Sequence, residues 1–193
     1  AKFVEHIKKE YLRDSNAWTN DSASDSLFTI KRDVIASIVD DILESGNFNE
    51  SPIYLPEVFQ LYPNLNLVAI DNLGEPVKVV ENTEGNTYCV TTIQYNGTEM
   101  RPYIRFLIAK EIFKYICNNN EHGTEIFKKM HPKIFDIHAN IFASMLLIPT
   151  KLLQKEITKI DNSFDLVTQL ANVFWVSKSL MNQRLKDYLE NLI

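Results

Sequence analysis

The segment at residues 102–118 constrains the fold most, because it is apolar around most of a helix and polar along one narrow arc. At about 100° per residue, apolar side chains cover most of its circumference. They are Ile104, Phe106, Ile108, Ala109, Ile112, Phe113, Tyr115 and Ile116. Lys110, Glu111 and Lys114 collect on one arc about 100° wide. Such a helix must be buried on most sides. Its polar arc, the polar window, is either a solvated face or part of a functional site.

The elements around this helix are of two kinds and occupy separate parts of the chain. Periodicity and capping signals predict further helices at residues 2–13, 31–45, 56–62, 133–148, 150–158, 163–173 and 178–191. Segments rich in β-branched residues at 65–70, 77–80 and 88–93 predict a small sheet of about three strands. Helices that precede and follow one small sheet along the chain indicate a mainly helical α+β fold.

The length of 193 residues fits one main domain with a small appendage. Residues 1–29, a short amphipathic helix followed by a polar, turn-rich stretch, are predicted to be that N-terminal arm. Residues 30–193 then form the main domain, with a C-terminal helix pair at 162–193. Trp18 is the arm's candidate anchor, either to the main domain or to a partner.

Charge and hydropathy exclude several classes of function. A formal net charge of −5 argues against coating nucleic acid or an acidic membrane through bulk electrostatics. No apolar run reaches the roughly 18 residues of a membrane-spanning helix, and the start lacks the apolar core of a secretion signal. The two cysteines, Cys89 and Cys117, form neither a metal-ligand spacing nor a disulfide framework. These features predict a cytoplasmic protein without membrane partners.

Three segments, in order, resemble the hallmarks of the ImmA/IrrE family of zinc metallopeptidases. The first is Arg105-Phe106-Leu107-Ile108-Ala109-Lys110-Glu111-Ile112-Phe113-Lys114, where the family reads Arg-Phe-x-x-Ala-His-Glu-x-x-His. The second is Asp136-Ile137-His138-Ala139-Asn140-Ile141-Phe142-Ala143-Ser144-Met145-Leu146-Leu147-Ile148-Pro149. The third is Leu170-Ala171-Asn172-Val173-Phe174-Trp175-Val176-Ser177, followed by Met181 and Arg184-Leu185. The resemblance covers roughly residues 30–193 and implies a zincin-like metallopeptidase scaffold.

The resemblance also assigns positions to the family's zinc site, which needs two histidines four residues apart, a glutamate base and a later carboxylate ligand. The histidine positions fall on Lys110 and Lys114, the glutamate on Glu111 and the later carboxylate on Asp136. His138 stands where many relatives have a second acidic residue. A lysine amine is protonated at pH 7, and deprotonation costs about 4–5 kcal/mol.

We therefore expect no zinc, no other cofactor and no catalytic residue, these positions being vestigial. We expect Lys110 and Lys114 to form ion pairs with Glu111 and Asp136 instead, although all of them could simply be solvated. An alternative metal site would combine Asp136 with His122, His131 and His138. His131 and His138 share a helical face only if Pro132 leaves the helix continuous.

The C-terminal pair has helix-turn-helix spacing, and Ser177 is placed to cap its second helix. Lys178, Gln183, Arg184 and Lys186 could face DNA, whereas Asp187 and Glu190 dilute the positive charge. Trp175 replaces the glycine that relatives carry in the turn, which questions the tight turn geometry. Trp175, Lys178 and Arg184 join Trp18 as candidate partner-binding residues.

Members of the resembled family typically cleave helix-turn-helix repressors. The leading hypothesis is a catalytically inactive, metallopeptidase-like regulatory or adaptor protein. It would act through contacts with such a repressor or another regulator in phage, mobile-element, stress or toxin–antitoxin regulation. Two alternatives stay open: an active metallopeptidase with a non-standard site around Glu111, Asp136 and His138, and a DNA-binding module using residues 178–191.

Overall fold

Helices precede and follow one small mixed sheet, and this confirms the predicted α+β fold class. The computed structural model describes residues 2–15, 28–85, 88–97, 101–160 and 165–191. The helices are α1 (Lys2–Ser15), α2 (Arg32–Ser45), α3 (Leu55–Phe59), α4 (Pro102–Asn118), α5 (Pro132–Leu147), α6 (Thr150–Ile157), α7 (Leu166–Phe174) and α8 (Lys178–Glu190). The strands are β1 (Leu65–Ile70), β2 (Val77–Glu84) and β3 (Tyr88–Asn96).

The sheet places its last strand in the middle, in the order β1-β3-β2. β1 runs parallel to β3, with Leu65 opposite Thr91, and β2 runs antiparallel to β3, with Val79 opposite Ile93. Leu65 and Ile93 are buried at 2% and 0% exposure. One face of the sheet thus packs on the helices, and β1 and β2 are its outer strands among the described residues.

α4 is the central buried helix that its composition predicts. Its residues Ile108, Ala109, Ile112, Phe113 and Ile116 are all fully buried. The Phe113 ring contacts three aromatic rings at centroid distances of 5.2–5.4 Å, those of Phe127, Phe135 and Phe142. Pro102, at the start of the helix, sets the backbone angle of a first turn without losing a hydrogen bond. Two of these rings belong to α5, so α4 and α5 are fixed against each other.

The N-terminal region is packed onto the rest of the chain at both of its described ends. Ile7 of α1 is 2% exposed and Phe28 is 4% exposed, and both belong to the hydrophobic core. The predicted helix at 2–13 is confirmed as Lys2–Ser15. Trp18 lies outside the described residues. None of the described helices is long and apolar enough to cross a bilayer.

A short 3-10 segment, Glu121–Phe127, links α4 to α5 and was not predicted from the sequence. His122 and Gly123 adopt left-handed backbone angles with φ of 52° and 68°. The Thr124 hydroxyl donates to the carbonyls of Ile116 and Glu121 at 3.2 Å and 2.8 Å. Such a segment has no apolar periodicity, because local hydrogen bonds hold it and only Phe127 enters the core.

Candidate functional site

Both lysines on the polar arc of α4 are in ion pairs. Lys110 Nζ lies 2.9 Å from Asp136 Oδ1, which joins α4 to α5, and the Lys110 side chain is only 16% exposed. Lys114 Nζ lies 3.2 Å from Glu111 Oε1, one turn away on α4. The predicted pairing of these lysines with these carboxylates is therefore confirmed, as one pair between helices and one pair within α4.

An open cavity of about 510 Å3 lies beside these pairs. Lys114, Lys128 and Asp136 supply its charged lining, and Phe127 and Phe135 supply aromatic walls. Cys117 also lines the cavity, but its side chain is 1% exposed. Burial raises the pKa of the Cys117 thiol to about 12. At neutral pH that thiol is protonated, and it is neither a nucleophile nor a metal ligand in this state.

His138 is a buried structural residue on α5, separate from the lysine pairs. Its Nδ1 donates to the Ile134 carbonyl at 2.8 Å, and its Nε2 accepts from the Lys31 backbone N–H at 2.9 Å. These partners define the neutral tautomer. Burial is the main cause that lowers the pKa of His138; nearby Lys31 lowers it further, whereas the bond to Ile134 raises it. Both ring nitrogens are thus occupied, Nδ1 within α5 itself and Nε2 in holding the start of α2 on α5.

The other histidines of the alternative metal site are held elsewhere. His131 caps α5 by accepting from the Lys133 N–H at 3.2 Å. His122 Nε2 lies 2.9 Å from the Tyr62 hydroxyl. Over the ranges that the structure describes, no three His, Cys, Asp or Glu side chains gather as a metal-binding group. The alternative site predicted from these histidines is therefore not assembled among the described residues.

Comparison with protein families gives an independent test of the resemblance. A peptidase family model, described as the IrrE N-terminal-like domain, matches residues 78–186, which is more than half of the chain. The chain belongs to this family. The matched region of the IrrE-like domain begins in β2 and ends in α8, and it includes both lysine pairs.

The chain also resembles a solved structure, that of a Mycobacterium tuberculosis transcriptional regulator. The TM-score is 0.55 at 16% sequence identity, and the alignment covers 80% of this chain and 49% of that chain. At this identity the likeness shows the fold alone. The chain spans about half the length of that regulator. A comparison with curated proteins gives no match.

Arg105 is fully buried, and its role was not predicted from the sequence. Its Nη2 donates to the Ile53 carbonyl at 2.9 Å and its Nε donates to the Trp175 carbonyl at 3.0 Å. The guanidinium also lies 5.0 Å from the Trp175 ring centroid. Burial lowers the pKa of Arg105 to about 10. The signal was a single arginine on an otherwise apolar arc of the helix, which usually marks a buried group with specific partners.

The turn between α7 and α8 keeps a tight geometry although it carries Trp175. Trp175 adopts the left-handed conformation with φ of 54°, and the Val176 N–H donates to the Ala171 carbonyl at 3.0 Å. This is the arrangement that a glycine would adopt more easily. The expectation that tryptophan disturbs this turn is therefore wrong. The Trp175 side chain is 41% exposed.

The remaining partner-binding candidates lie on α8. Lys178 is exposed at its first turn, and Ser177 caps the helix by accepting from the Leu180 N–H at 3.1 Å. Arg184 is 5% exposed, and its Nε donates to the Ile148 carbonyl at 3.0 Å. Its Nη2 donates to the Thr150 hydroxyl at 2.8 Å. Arg184 thus has an internal structural role and offers little surface to a partner, contrary to its selection from the sequence.

Proposed function

We propose that this chain is a catalytically inactive member of its peptidase family that acts as a cytoplasmic regulatory or adaptor protein. The observation that carries the proposal is the pairing of Lys110 with Asp136 and of Lys114 with Glu111, at 2.9 Å and 3.2 Å. By the resemblance of the α4 motif, the two amines stand where zinc-binding histidines stand in relatives. They neutralise the carboxylates that would otherwise face a dication.

The donor set of this site does not fit a zinc ion. Zinc binds nitrogen through a lone pair, and an ammonium group in an ion pair has none to donate. Two ammonium groups also repel a cation at close range. His138, the nearest histidine along α5, uses both ring nitrogens in hydrogen bonds to the backbone. We therefore assign no step of a hydrolytic reaction to this site.

We infer regulation through a protein partner because the family scaffold is retained while ion pairs occupy the positions of the metal site. Ion pairing between α4 and α5 keeps the same two helices together without a metal. Trp175 and Lys178 are the surface candidates for the contact, and a helix-turn-helix repressor or another regulator is the proposed partner. Trp175 is the stronger candidate, because Arg105 lies against its ring and limits the entropy lost on binding.

Metal content tests this proposal most directly. After incubation with Zn2+ and desalting, the wild-type chain should retain no stoichiometric zinc. The double variant Lys110→His/Lys114→His should gain about one zinc per chain, because it restores two imidazoles beside Glu111 and Asp136. Lys151→His/Lys155→His is the matched control, since it places the same pair four residues apart on the exposed side of α6.

The outcomes separate the competing functions. Stoichiometric zinc in the wild-type chain, or cleavage of a helix-turn-helix repressor by it, would establish the active metallopeptidase instead. Binding of a repressor without cleavage, weakened by Trp175→Ala and unaffected by Tyr54→Ala at another exposed aromatic residue, supports the regulator. Gel-shift binding to DNA with a steep salt dependence would support the DNA-binding module.

A further inference from the structure

A second cavity, of about 530 Å3, lies among α1, the start of α2, α4, α5 and α8. None of the four residues in the lysine pairs lines it, so it is separate from the site described above. Its volume falls within the range of about 300–1000 Å3 that small-molecule sites occupy. Most of its described lining residues are apolar, among them Phe106, Ile137, Ile141 and Leu180. The wall therefore suits the apolar body of a small ligand.

Arg184 lines this cavity with a guanidinium that keeps donors to spare. It is 5% exposed, and its Nε and Nη2 donate to the Ile148 carbonyl and the Thr150 hydroxyl. A guanidinium has five N–H groups, and no described residue accepts a hydrogen bond from Arg184 Nη1. In the described ranges Ser51 Oγ is the one side-chain polar atom that is both buried and without a partner. Arg184 Nη1 is therefore still open to solvent, although the residue is almost fully buried.

The charged groups around Arg184 line the same cavity. Burial is the main cause that lowers the pKa of Arg184; Asp187 raises it, and Arg32 lowers it further. Both of these residues line the cavity, and Arg32 Nη2 lies 3.5 Å from Asp187 Oδ2. The described lining thus holds two guanidinium groups and one carboxylate. One carboxylate cannot neutralise two arginines, so this end of the cavity lacks one negative charge.

We propose that this cavity binds a small apolar monocarboxylate. The carboxylate of the ligand lies between Arg32 and Arg184 and supplies the missing negative charge. Its hydrocarbon body lies against Phe106, Ile141 and Leu180. A guanidinium suits this group because its planar fork can donate parallel hydrogen bonds to both carboxylate oxygens. A small molecule reaches Arg184 inside the cavity, where the surface of a protein partner does not.

Charge balance selects this class of ligand over others. A neutral apolar molecule would displace water from Arg184 Nη1 and leave that donor without an acceptor, which carries a desolvation penalty. A cation would add to the positive charge of Arg32 and Arg184. A phosphate dianion would exceed the one missing charge and would place the excess beside Asp187. A monocarboxylate satisfies the free donor and neutralises the excess positive charge at once.

Isothermal titration calorimetry of the full-length chain with octanoate and 1-octanol tests the proposal. Octanoate should bind at least about tenfold more tightly than 1-octanol, because only octanoate forms charge-assisted hydrogen bonds. Arg32→Gln should weaken octanoate binding by about tenfold and leave 1-octanol binding unchanged. Asp187→Asn should tighten octanoate binding, because it removes the carboxylate that competes for Arg32. Lys178→Gln is the matched control on α8; this exposed lysine does not line the cavity, and its loss should change neither affinity.

Two readouts keep the test independent of misfolding. Tighter binding by Asp187→Asn cannot result from damage to the fold, and Ile141→Trp, which fills the cavity, should abolish binding of both probes. In NMR spectra of the wild type, octanoate should shift the Nε–H resonance of Arg184. Absence of octanoate binding at millimolar concentration, equal affinity for octanoate and 1-octanol, or tighter binding of octyl phosphate would each overturn the proposal. So would an Asp187→Asn variant with unchanged affinity or an Arg184 resonance that octanoate leaves in place.

Discussion

Replacing Arg105 with methionine tests whether a buried guanidinium fork holds three parts of the fold together. Arg105 joins α4 to the segment before α3 through Ile53 and to the turn before α8 through Trp175. Methionine fills similar space but donates no hydrogen bond. The buried Ile53 carbonyl, 2.9 Å from an Arg105 donor, and the half-buried Trp175 carbonyl, 3.0 Å from another, would lose these donors.

Each buried carbonyl left without a donor costs about 1–3 kcal/mol. The longer contact to the Phe174 carbonyl at 3.5 Å adds little. Removal of a desolvated charge returns part of the loss, because burial already disfavours the charged form of Arg105 and lowers its pKa to about 10. We therefore expect Arg105→Met to reduce the free energy of unfolding by about 2–4 kcal/mol, or about 5–15 °C in Tm.

Urea denaturation followed by circular dichroism measures this loss, and Arg105→Lys is the informative comparison. Lysine keeps the buried positive charge but cannot supply two directed donors to two carbonyls. It should destabilise the chain at least as much as methionine does. If Arg105→Lys unfolds within about 1 kcal/mol of the wild type, charge alone is sufficient and the reasoning from the guanidinium geometry is wrong.

Two further predictions concern His138 and Trp175. Because burial lowers the folded pKa of His138, the unfolded chain binds its proton first, so the free energy of unfolding should fall as pH drops below about 6.5 and level off below the folded value. His138→Asn should remove this component, seen as a shallower decline in urea midpoints between pH 7.5 and 5.5; an unchanged slope contradicts it. Trp175→Gly should be more stable than Trp175→Ala by about 1 kcal/mol, because both lose the ring but only glycine adopts φ of 54° without strain; equal thermal unfolding temperatures would exclude backbone strain at this turn.

The lysine pairs illustrate how far residue chemistry carries a prediction. Helical geometry predicts that Lys110 and Glu111 lie on one arc of α4. Because lysine and glutamate carry opposite charges at neutral pH, partial burial of this arc favours ion pairs. Which carboxylate pairs with Lys110 depends on the tertiary structure. Asp136 lies on another helix, and its distance of 2.9 Å from Lys110 depends on how α4 and α5 cross, which aromatic packing around Phe113 sets.

Arg184 shows the opposite case. Its sequence position on the last helix indicated a cation available to a partner, since arginine is usually exposed. Its guanidinium instead lies inside, bonded to Ile148 and Thr150. Nothing in the local pattern of α8 encodes those acceptors, because they belong to the junction between α5 and α6 and approach Arg184 only when the helices pack.

The sequence by itself determined the α+β order of elements, the buried character of α4 and the chemical identity of its polar window. These depend on periodicity, turn residues and ionisation, which act over a few neighbouring residues. The tertiary structure alone decided the strand order, the burial of Arg184 and the use of both His138 nitrogens by backbone groups. Those outcomes depend on contacts between residues distant in the chain, whose free energies are settled only when all the elements pack together.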